Sequence, residues 1–141
     1  MPGVCITSFP LAKRRYTIWY IELLPNRQHE DRPWGSFDRF TLNEQSTVKI
    51  LTLKPDQRLS LQTHEKRSEF WYVISGSGIA TVGGEELPAS AGSEFSIPVG
   101  VPHRIASGEG GLVWLEVALG TFEEHDEVRL EDDYQRSSPS Q

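Results

Sequence analysis

The chain has 141 residues, a formal net charge of -6 at pH 7 and a sequence pI of about 5.2. This length predicts one domain with its own core, and the acidic balance excludes the clustered basic face that nucleic-acid binding requires. The single cysteine, Cys5, excludes an internal disulfide framework, and no apolar run has the length of a membrane span or the build of a signal peptide. We therefore expect a soluble cytoplasmic protein with no membrane or nucleic-acid partner.

The first 31 residues are predicted to form an arm with one added strand. Residues 1–15 lack periodicity, whereas residues 16–24 are aromatic and β-branched and so predict a strand. Both faces of that strand are apolar, which favours an added edge strand or a contact between two copies over a free surface. An ordinary strand on its own core is the alternative. Residues 25–31 are interpreted as a polar linker with an exposed His29.

Residues 32–136 alternate short apolar runs with turn residues, which is the pattern of an all-β sandwich or barrel. The Gly83-Gly84 pair predicts a two-residue hairpin turn, because glycine accepts the positive φ that such turns require. Almost no stretch longer than a turn has helical periodicity, so we expect a single all-β jelly-roll domain over this range. The predicted strands cover residues 35–42, 47–53, 59–64, 69–75, 78–82, 85–87, 94–97, 103–106 and 112–118.

Three tryptophans in this range are interpreted as core residues rather than platforms for a sugar ring, namely Trp34, Trp71 and Trp114. The segment 121–136 is acidic, and acidic runs are most often solvated faces. The last five residues, 137–141, have the composition of a disordered tail.

Polar side chains with metal-binding chemistry are concentrated in residues 55–76. Gln62 and His64 alternate with apolar or small neighbours, so on a strand with a two-residue period both side chains leave the same face and can share one ligand. Glu69 opens the apolar run 69–75, which we expect to pair with the strand at 59–64 as a hairpin.

The spacing in this stretch resembles the first motif of the cupin superfamily. Gln62, His64 and Glu69 stand at the positions of that motif's ligands, and a second cupin motif is matched by Gly92, Pro98, Gly100 and His103. The resemblance implies a jelly-roll barrel, a double-stranded β-helix, with one divalent metal ion. Nitrogen and oxygen ligands in this mixture suit zinc first, with manganese, cobalt, nickel or iron as alternatives. The implied ligands are Gln62, His64, Glu69 and His103.

Four longer segments are similar to the type II mannose-6-phosphate isomerase domain, which also forms the C-terminal part of mannose-1-phosphate guanylyltransferases. They are RPWGSF at 32–37, RLSLQTHEKRSEFW at 58–71, IPVGVPHR at 97–104 and VRLEDDYQR at 128–136. The last of these implies that the acidic segment returns over the barrel mouth. The chain departs from the family pattern at Asp56 and Gln135, where the family has Gly, at Lys66 and Phe70, where it has His, and at Ser107, where it has Asn.

The resemblance implies a metal-dependent isomerase that interconverts mannose 6-phosphate and fructose 6-phosphate. Four arginines are candidates for binding the phosphate, because a guanidinium group fits phosphate oxygens bidentately, and surface salt bridges are the alternative for each. For the proton-transferring base we consider Lys66, which lies on the same strand face as His64 if that strand continues, and its neighbour Glu65. The candidate arginines are Arg58, Arg67, Arg104 and Arg129.

Two other functions fit the sequence. A non-catalytic cupin that binds or senses a sugar is favoured by the loss of the two family histidines at positions 66 and 70. A metal-dependent dioxygenase acting on a small organic acid is the second alternative. Cupins commonly pair through edge strands, so we also expect a homodimer, with residues 16–24 as a candidate contact.

Overall fold

The computed structural model describes residues 23–139, a range that forms nine β-strands and no helix. The all-β prediction is therefore confirmed for this part of the chain, and no helix in it is long and apolar enough to cross a membrane. The strands are β1 Gln28–Arg32, β2 Gly35–Arg39, β3 Ser46–Leu53, β4 Leu61–Thr63, β5 Arg67–Val82, β6 Glu85–Ser90, β7 Glu94–Ile97, β8 His103–Gly120 and β9 Val128–Glu131.

Two long antiparallel strands, β5 and β8, organise the molecule. They pair from Arg67 opposite Gly120 to Val82 opposite His103. Each half of each strand has its own further neighbour: β7 and β6 pair with successive halves of β5, and β4 and β3 with successive halves of β8. The halves therefore belong to two packed layers, which is the architecture of a jelly roll.

Glycines allow the two long strands to bend while they stay paired. The register shifts between Val73 and Ser75 and again between Gly76 and Gly78. A Cβ atom at Gly78 would overlap the carbonyl oxygen of Ala106. The predicted breaks between 69–75 and 78–82, and between 103–106 and 112–118, are therefore wrong, because the glycines bend the strands without ending them.

The core follows the two-residue period of these strands. Trp71 and Trp114 are fully buried, with ring centroids 6.0 Å apart, which confirms the prediction for both. Around them lie the apolar residues of the inner faces, Leu53, Val73, Ala80, Val82, Phe95, Ile97, Ile105 and Leu112. Polar side chains at the inward-facing positions of these strands therefore lie against the core.

The N-terminal part of the described range corrects two predictions. Residues 25–31 are not a linker, because β1 pairs with β2 as a separate two-stranded sheet, although His29 is exposed as expected. Trp34, at the turn of this hairpin, is 73% exposed and is not a core residue. Of the predicted strand at 16–24, residues 16–22 lie outside the described range. The described Leu24 belongs to no strand and packs against Phe70 and Val117.

The pairing of β4 differs from the predicted hairpin with residues 69–75. β4 pairs with β8 and with β9, which brings the C-terminal segment back over the barrel as expected. The carboxylate of Asp126 accepts the backbone N–H groups of Glu65 and Lys66, so the C-terminal segment stabilises the connection between β4 and β5 in place of a tight turn. The predicted turn at Gly83 and Gly84 is confirmed, with φ of 58° and 85°.

Candidate metal centre

Three strands bring two imidazoles and a carboxylate together inside the barrel. His64 follows β4, Glu69 lies in β5 and His103 begins β8. All three are buried, and their potential ligand atoms lie within 4.8 Å of one another. His64 Nε2 lies 3.0 Å from one oxygen of Glu69, and His103 Nε2 lies 3.5 Å from the other. The structure therefore assembles three of the four sequence-predicted ligands.

Both imidazoles are oriented by backbone carbonyl groups. Nδ1 of His64 lies 2.7 Å from the carbonyl oxygen of Asp126, and Nδ1 of His103 lies 2.8 Å from that of Val101. Because a carbonyl oxygen only accepts, each Nδ1 donates, and each Nε2 turns toward Glu69. This arrangement is typical of metal-bound histidine. Nε2 of His103 is buried and has no hydrogen-bond partner in the described residues.

The cluster gathers acceptor atoms that a cation can satisfy. With the proton on Nδ1, the facing Nε2 of His64 and the Glu69 oxygen are both acceptors, and the N–H groups of Arg67 lie 3.3 Å and 3.2 Å from them. Burial opposes the imidazolium, but the hydrogen bond and charge of Glu69 raise the pKa of His64 above its ordinary value. Burial alone would raise the pKa of Glu69, yet the facing imidazoles of His103 and His64 lower it well below its usual range. The residues fit a divalent ion.

Gln62 completes the polar face on β4. It pairs directly with His103 in the β4–β8 ladder, and side chains at directly opposite positions of antiparallel strands lie on the same face. The side chain is buried, and its carbonyl oxygen lies 3.4 Å from the hydroxyl of Ser60, a long contact that leaves acceptor capacity for another partner. Gln62 is therefore a buried amide on the same face as His103, and its role as the fourth ligand stays a prediction.

Arg67 is the predicted phosphate-binding residue that lies at the cluster. Its Nε donates to Glu69 at 3.2 Å, and its Nη2 lies 3.3 Å from Nε2 of His64. Its Nη1 donates to the carbonyl oxygen of Glu123 at 3.2 Å. The guanidinium group is buried, and it places one fixed positive charge beside the ligand atoms.

A second buried carboxyl group lies beside the cluster. The indole N–H of Trp71 lies 3.1 Å from Glu69 and 3.2 Å from Glu116, so the two carboxyl groups share one donor. Burial, followed by the nearby charge of Glu69, raises the pKa of Glu116 to about 7. Lys49 Nζ lies 3.9 Å from Glu116. A carboxyl group with this pKa can both give and take a proton near neutral pH.

Sequence reasoning missed Glu116 and Lys49, although a signal was present. Glu116 lies two residues after the buried Trp114 and two before the buried Ala118, so it has the inward position of an apolar strand. A charged side chain at that position is rarely buried without a partner. Lys49 is the Cα partner of Glu116 in the β3–β8 ladder, which only the strand register reveals.

Residues 121–127, which we call the covering segment, lie across the cluster. Phe122 packs against Arg67, Asp126 contacts His64 through its carbonyl group, and Glu123 contacts Lys66 at 2.7 Å. The resemblance implied that this acidic segment returns over the barrel mouth, but it did not give the individual contacts. Its contacts depend on the long-range pairing of β9 with β4, which carries no local sequence signal.

The two predicted base residues lie outside the cluster. The Lys66 side chain is 51% exposed, and the hydrogen bond and charge of Glu123 raise its pKa above the ordinary value. A lysine that acts as a base needs a lowered pKa instead. Glu65 is exposed and takes part in the local structure through its backbone N–H.

The three remaining arginines lie away from the cluster. Arg104 follows the inward-facing His103 and therefore points to the outer face of β8, where it donates to Glu131 at 2.9 Å. Together with Arg58 it lines a separate surface pocket of about 280 Å³. Arg58 pairs bidentately with Asp133, and Arg129 contacts Glu127, Ser137 and Ser138. Arg58 and Arg104 therefore hold the C-terminal segment on the barrel, whereas Arg129 makes its contacts within that segment.

Comparison with known proteins gives a consistent family. Residues 22–132 match the family described as "Mannose-6-phosphate isomerase C-terminal". The chain is 41% identical over 108 residues to the xanthan biosynthesis protein XanB of Xanthomonas campestris pv. campestris strain B100, a match that covers 75% of this chain and 23% of XanB. It is 38% identical over 107 residues to the mannose-1-phosphate guanylyltransferase ManC of Salmonella typhimurium, covering 74% of this chain and 22% of ManC.

The chain thus spans less than a quarter of the length of these relatives. Among solved structures, a sugar phosphate isomerase of the cupin superfamily from Silicibacter pomeroyi superposes with a TM-score of 0.51 at 24% identity, over 55% of this chain and 52% of that chain. A likeness at this identity establishes the cupin fold, as the motif spacing predicted.

Proposed function

The chain belongs to the mannose-6-phosphate isomerase C-terminal family of cupin-type domains, and on that premise we propose that it is a metal-dependent isomerase of mannose 6-phosphate and fructose 6-phosphate. The observation that carries this proposal is the buried group of His64, Glu69 and His103, with both Nε2 atoms turned toward one carboxylate. The same family and the polysaccharide-related relatives support a role in carbohydrate biosynthesis.

One divalent ion would be held by His64, Glu69 and His103, with Gln62 as a neutral fourth ligand. Zinc is the first candidate, and manganese, cobalt, nickel and iron accept the same donor set. Bound there, a divalent ion supplies a Lewis acid that polarises the carbonyl and hydroxyl oxygens of a sugar. The backbone carbonyl groups of Asp126 and Val101 keep both imidazoles in the ligating tautomer.

Isomerisation requires a group that takes a proton from carbon 2 of the aldose and returns it to carbon 1. We assign this role to Glu116, whose pKa of about 7 suits a group that both accepts and releases a proton. Trp71 connects it to Glu69 through one shared indole N–H, so the acid–base group lies beside the metal ligands. Lys66 has the raised pKa described above, and Lys66→Ala is expected to keep turnover.

The test is isomerase turnover of metal-stripped protein resupplied with zinc, manganese, cobalt or nickel. We expect one of these ions to restore turnover, and we expect His64→Ala to abolish it. His29→Ala is the matched control, because His29 is exposed on the β1–β2 hairpin and also contacts carboxylates. Metal binding without turnover under any of these ions would contradict the isomerase proposal.

A non-catalytic sugar-binding cupin is the second candidate. It is favoured by the covering segment, which leaves the side chains of the cluster almost without solvent contact, and by Lys66 and Phe70 at positions where the family carries histidine. Binding of a hexose phosphate with no isomerisation of it would support this function instead.

A further inference from the structure

One aromatic ring of the covering segment contacts two cations. Nζ of Lys49 lies 4.0 Å from the centroid of Phe122, and the guanidinium carbon of Arg67 lies 4.2 Å from it. Attraction between a cation and the ring face explains either contact alone. Two positive charges against the same ring repel each other, however, so the position of the ring is one that a negative group would occupy more favourably.

The surrounding charges leave Lys49 incompletely compensated. Within residues 23–139 its one ion-pair partner is Glu116, at 3.9 Å, which is long for such a pair. That carboxyl group also accepts the indole N–H of Trp71 at 3.2 Å. The positive charge of Arg67 is better compensated, because this residue donates to the carboxylate of Glu69.

The strand register places this pair of cations at the same end of the barrel as the metal cluster. Lys49 is the Cα partner of Glu116, and Glu116 is the Cα partner of Trp71. Trp71 in turn donates to Glu69 of the cluster. The Lys49 side chain is 37% exposed, whereas that of Glu69 is 2% exposed, so Lys49 lies nearer the solvent side. A ligand that spans from Lys49 to the cluster therefore needs an anionic outer end and a polar inner end.

We propose that Lys49 and Arg67 form a binding site for the phosphate group of a sugar phosphate, and that the ring of Phe122 occupies this site until the ligand displaces it. The inference rests on the proposed function and adds two residues, Lys49 and Phe122, that the sequence motifs do not assign. Arg67 offers a planar fork to two phosphate oxygens, and Lys49 offers a compact charge to a third. The sugar then extends inward toward His64 and His103.

The test measures binding in place of turnover. Metal-stripped protein is titrated by calorimetry with a hexitol phosphate, which lacks a carbonyl group and cannot be isomerised. We expect Lys49→Met, which keeps the length of the side chain and removes its charge, to weaken binding at least tenfold. Lys49→Arg should stay within about threefold of the wild type, because it keeps the charge. Lys54→Met is the matched control, since Lys54 is exposed just beyond the same strand.

Three results would overturn the proposal. The first is a wild-type protein that does not bind the hexitol phosphate at millimolar concentration. The second is a folded Lys49→Met variant, judged by its thermal unfolding, that binds as tightly as the wild type. The third concerns Phe122→Ala, which should bind at least as tightly as the wild type, so a loss equal to that of Lys49→Met contradicts displacement of the ring. The ligand cannot react, so a protein without isomerase turnover leaves these results unchanged.

Discussion

At the scale of single residues, the indole N–H of Trp71 is shared by two carboxyl groups whose pKa values shift in opposite directions. The two facing imidazoles hold the pKa of Glu69 well below its usual range, despite burial. Glu116 has no histidine partner in the part of the chain that the structure describes, and burial and the charge of Glu69 raise its pKa to about 7. At neutral pH the site therefore combines one fixed negative charge with one exchangeable proton.

Replacing Glu116 with glutamine tests this difference through stability. The pKa of Glu116 rises from 4.5 in the ordinary state to about 7 in the fold, so the folded protein holds a proton that the unfolded chain releases. This contribution is complete below pH 4.5 and is lost as the pH rises through 7. In the metal-free wild type the loss is on the order of 3 kcal/mol, and Glu116→Gln should not show it. Urea denaturation at a series of pH values measures the effect.

The exposed Glu109 provides the control for that experiment. Glu109→Gln should follow the pH dependence of the wild type, because the side chain has no comparable burial. Parallel curves for Glu116→Gln and the wild type would show that Glu116 does not titrate as the structure indicates.

Two positions where the family has glycine adopt left-handed backbone in this chain. Asp56 has a φ of 55° and Gln135 a φ of 57°. Asp tolerates this region, but Gln does not. We expect Gln135→Gly to raise the free energy of unfolding by about 1 kcal/mol, measured by urea denaturation. Glu124→Gly, in a turn without positive φ, should lower it, and a similar loss for Gln135→Gly would contradict the strain.

The sequence could indicate the candidate ligands because their signal is local. The alternation of Gln62 with His64 and the motif spacing of Glu69 and His103 specify positions on strands without knowledge of the topology. Lys49 was not predictable in this way, since it reaches the site only through the register of β3 with β8. Lys66 was assigned as the base because side chains alternate along a strand, which would place it on the same face as His64. The strand β4 ends at Thr63, however, so this alternation does not extend to Lys66.

At the scale of elements, the bend of the paired long strands depends on backbone contact. A Cβ at Gly78 would overlap the carbonyl oxygen of Ala106, which is main chain and cannot rotate away. We expect Gly78→Ala to lower the free energy of unfolding by about 3 kcal/mol or more. Gly110→Ala is the matched control, because a Cβ there meets nothing within 4 Å. Equal stability of the two variants by thermal unfolding would contradict the close approach.

Element boundaries were the weakest part of the sequence prediction. Residues 94–97 were predicted with the bounds of β7, because a proline and glycines flank that strand. Glycines inside β5 and β8 were read as turns, since a sequence does not distinguish a glycine that ends a strand from one that lets two strands approach. β2 lies within the predicted strand at 35–42, whereas β1 is polar and largely exposed and offered no apolar alternation to detect.

At the scale of the whole molecule, an exposed apolar surface predicts a contact between two copies. Val48 and Ile50 are 55% and 67% exposed on β3. Their two-residue spacing places both side chains on the same face of β3. We expect a homodimer that uses this face, and deletion of residues 1–22 should halve the mass measured by light scattering.

Ile50→Lys in the full chain should also give a monomer, because it places a charge in the apolar contact. Ile79→Lys is the matched control, since Ile79 is 46% exposed and pairs with β6 on another part of the barrel. A wild-type chain that is already monomeric, or an Ile50→Lys variant that keeps the dimer mass, would contradict this interface.

Metal titration of the stripped protein tests the buried cluster most directly. We predict one equivalent of zinc bound to the wild type, with His29→Ala unchanged and His103→Ala weakened by about a hundredfold or more, because even partners outside the ligand set contribute 10- to 100-fold. This variant removes Nε2 of His103, which is buried and has no hydrogen-bond partner within residues 23–139. A wild type without stoichiometric binding, or a His103→Ala variant that binds zinc as tightly as the wild type, would contradict the account.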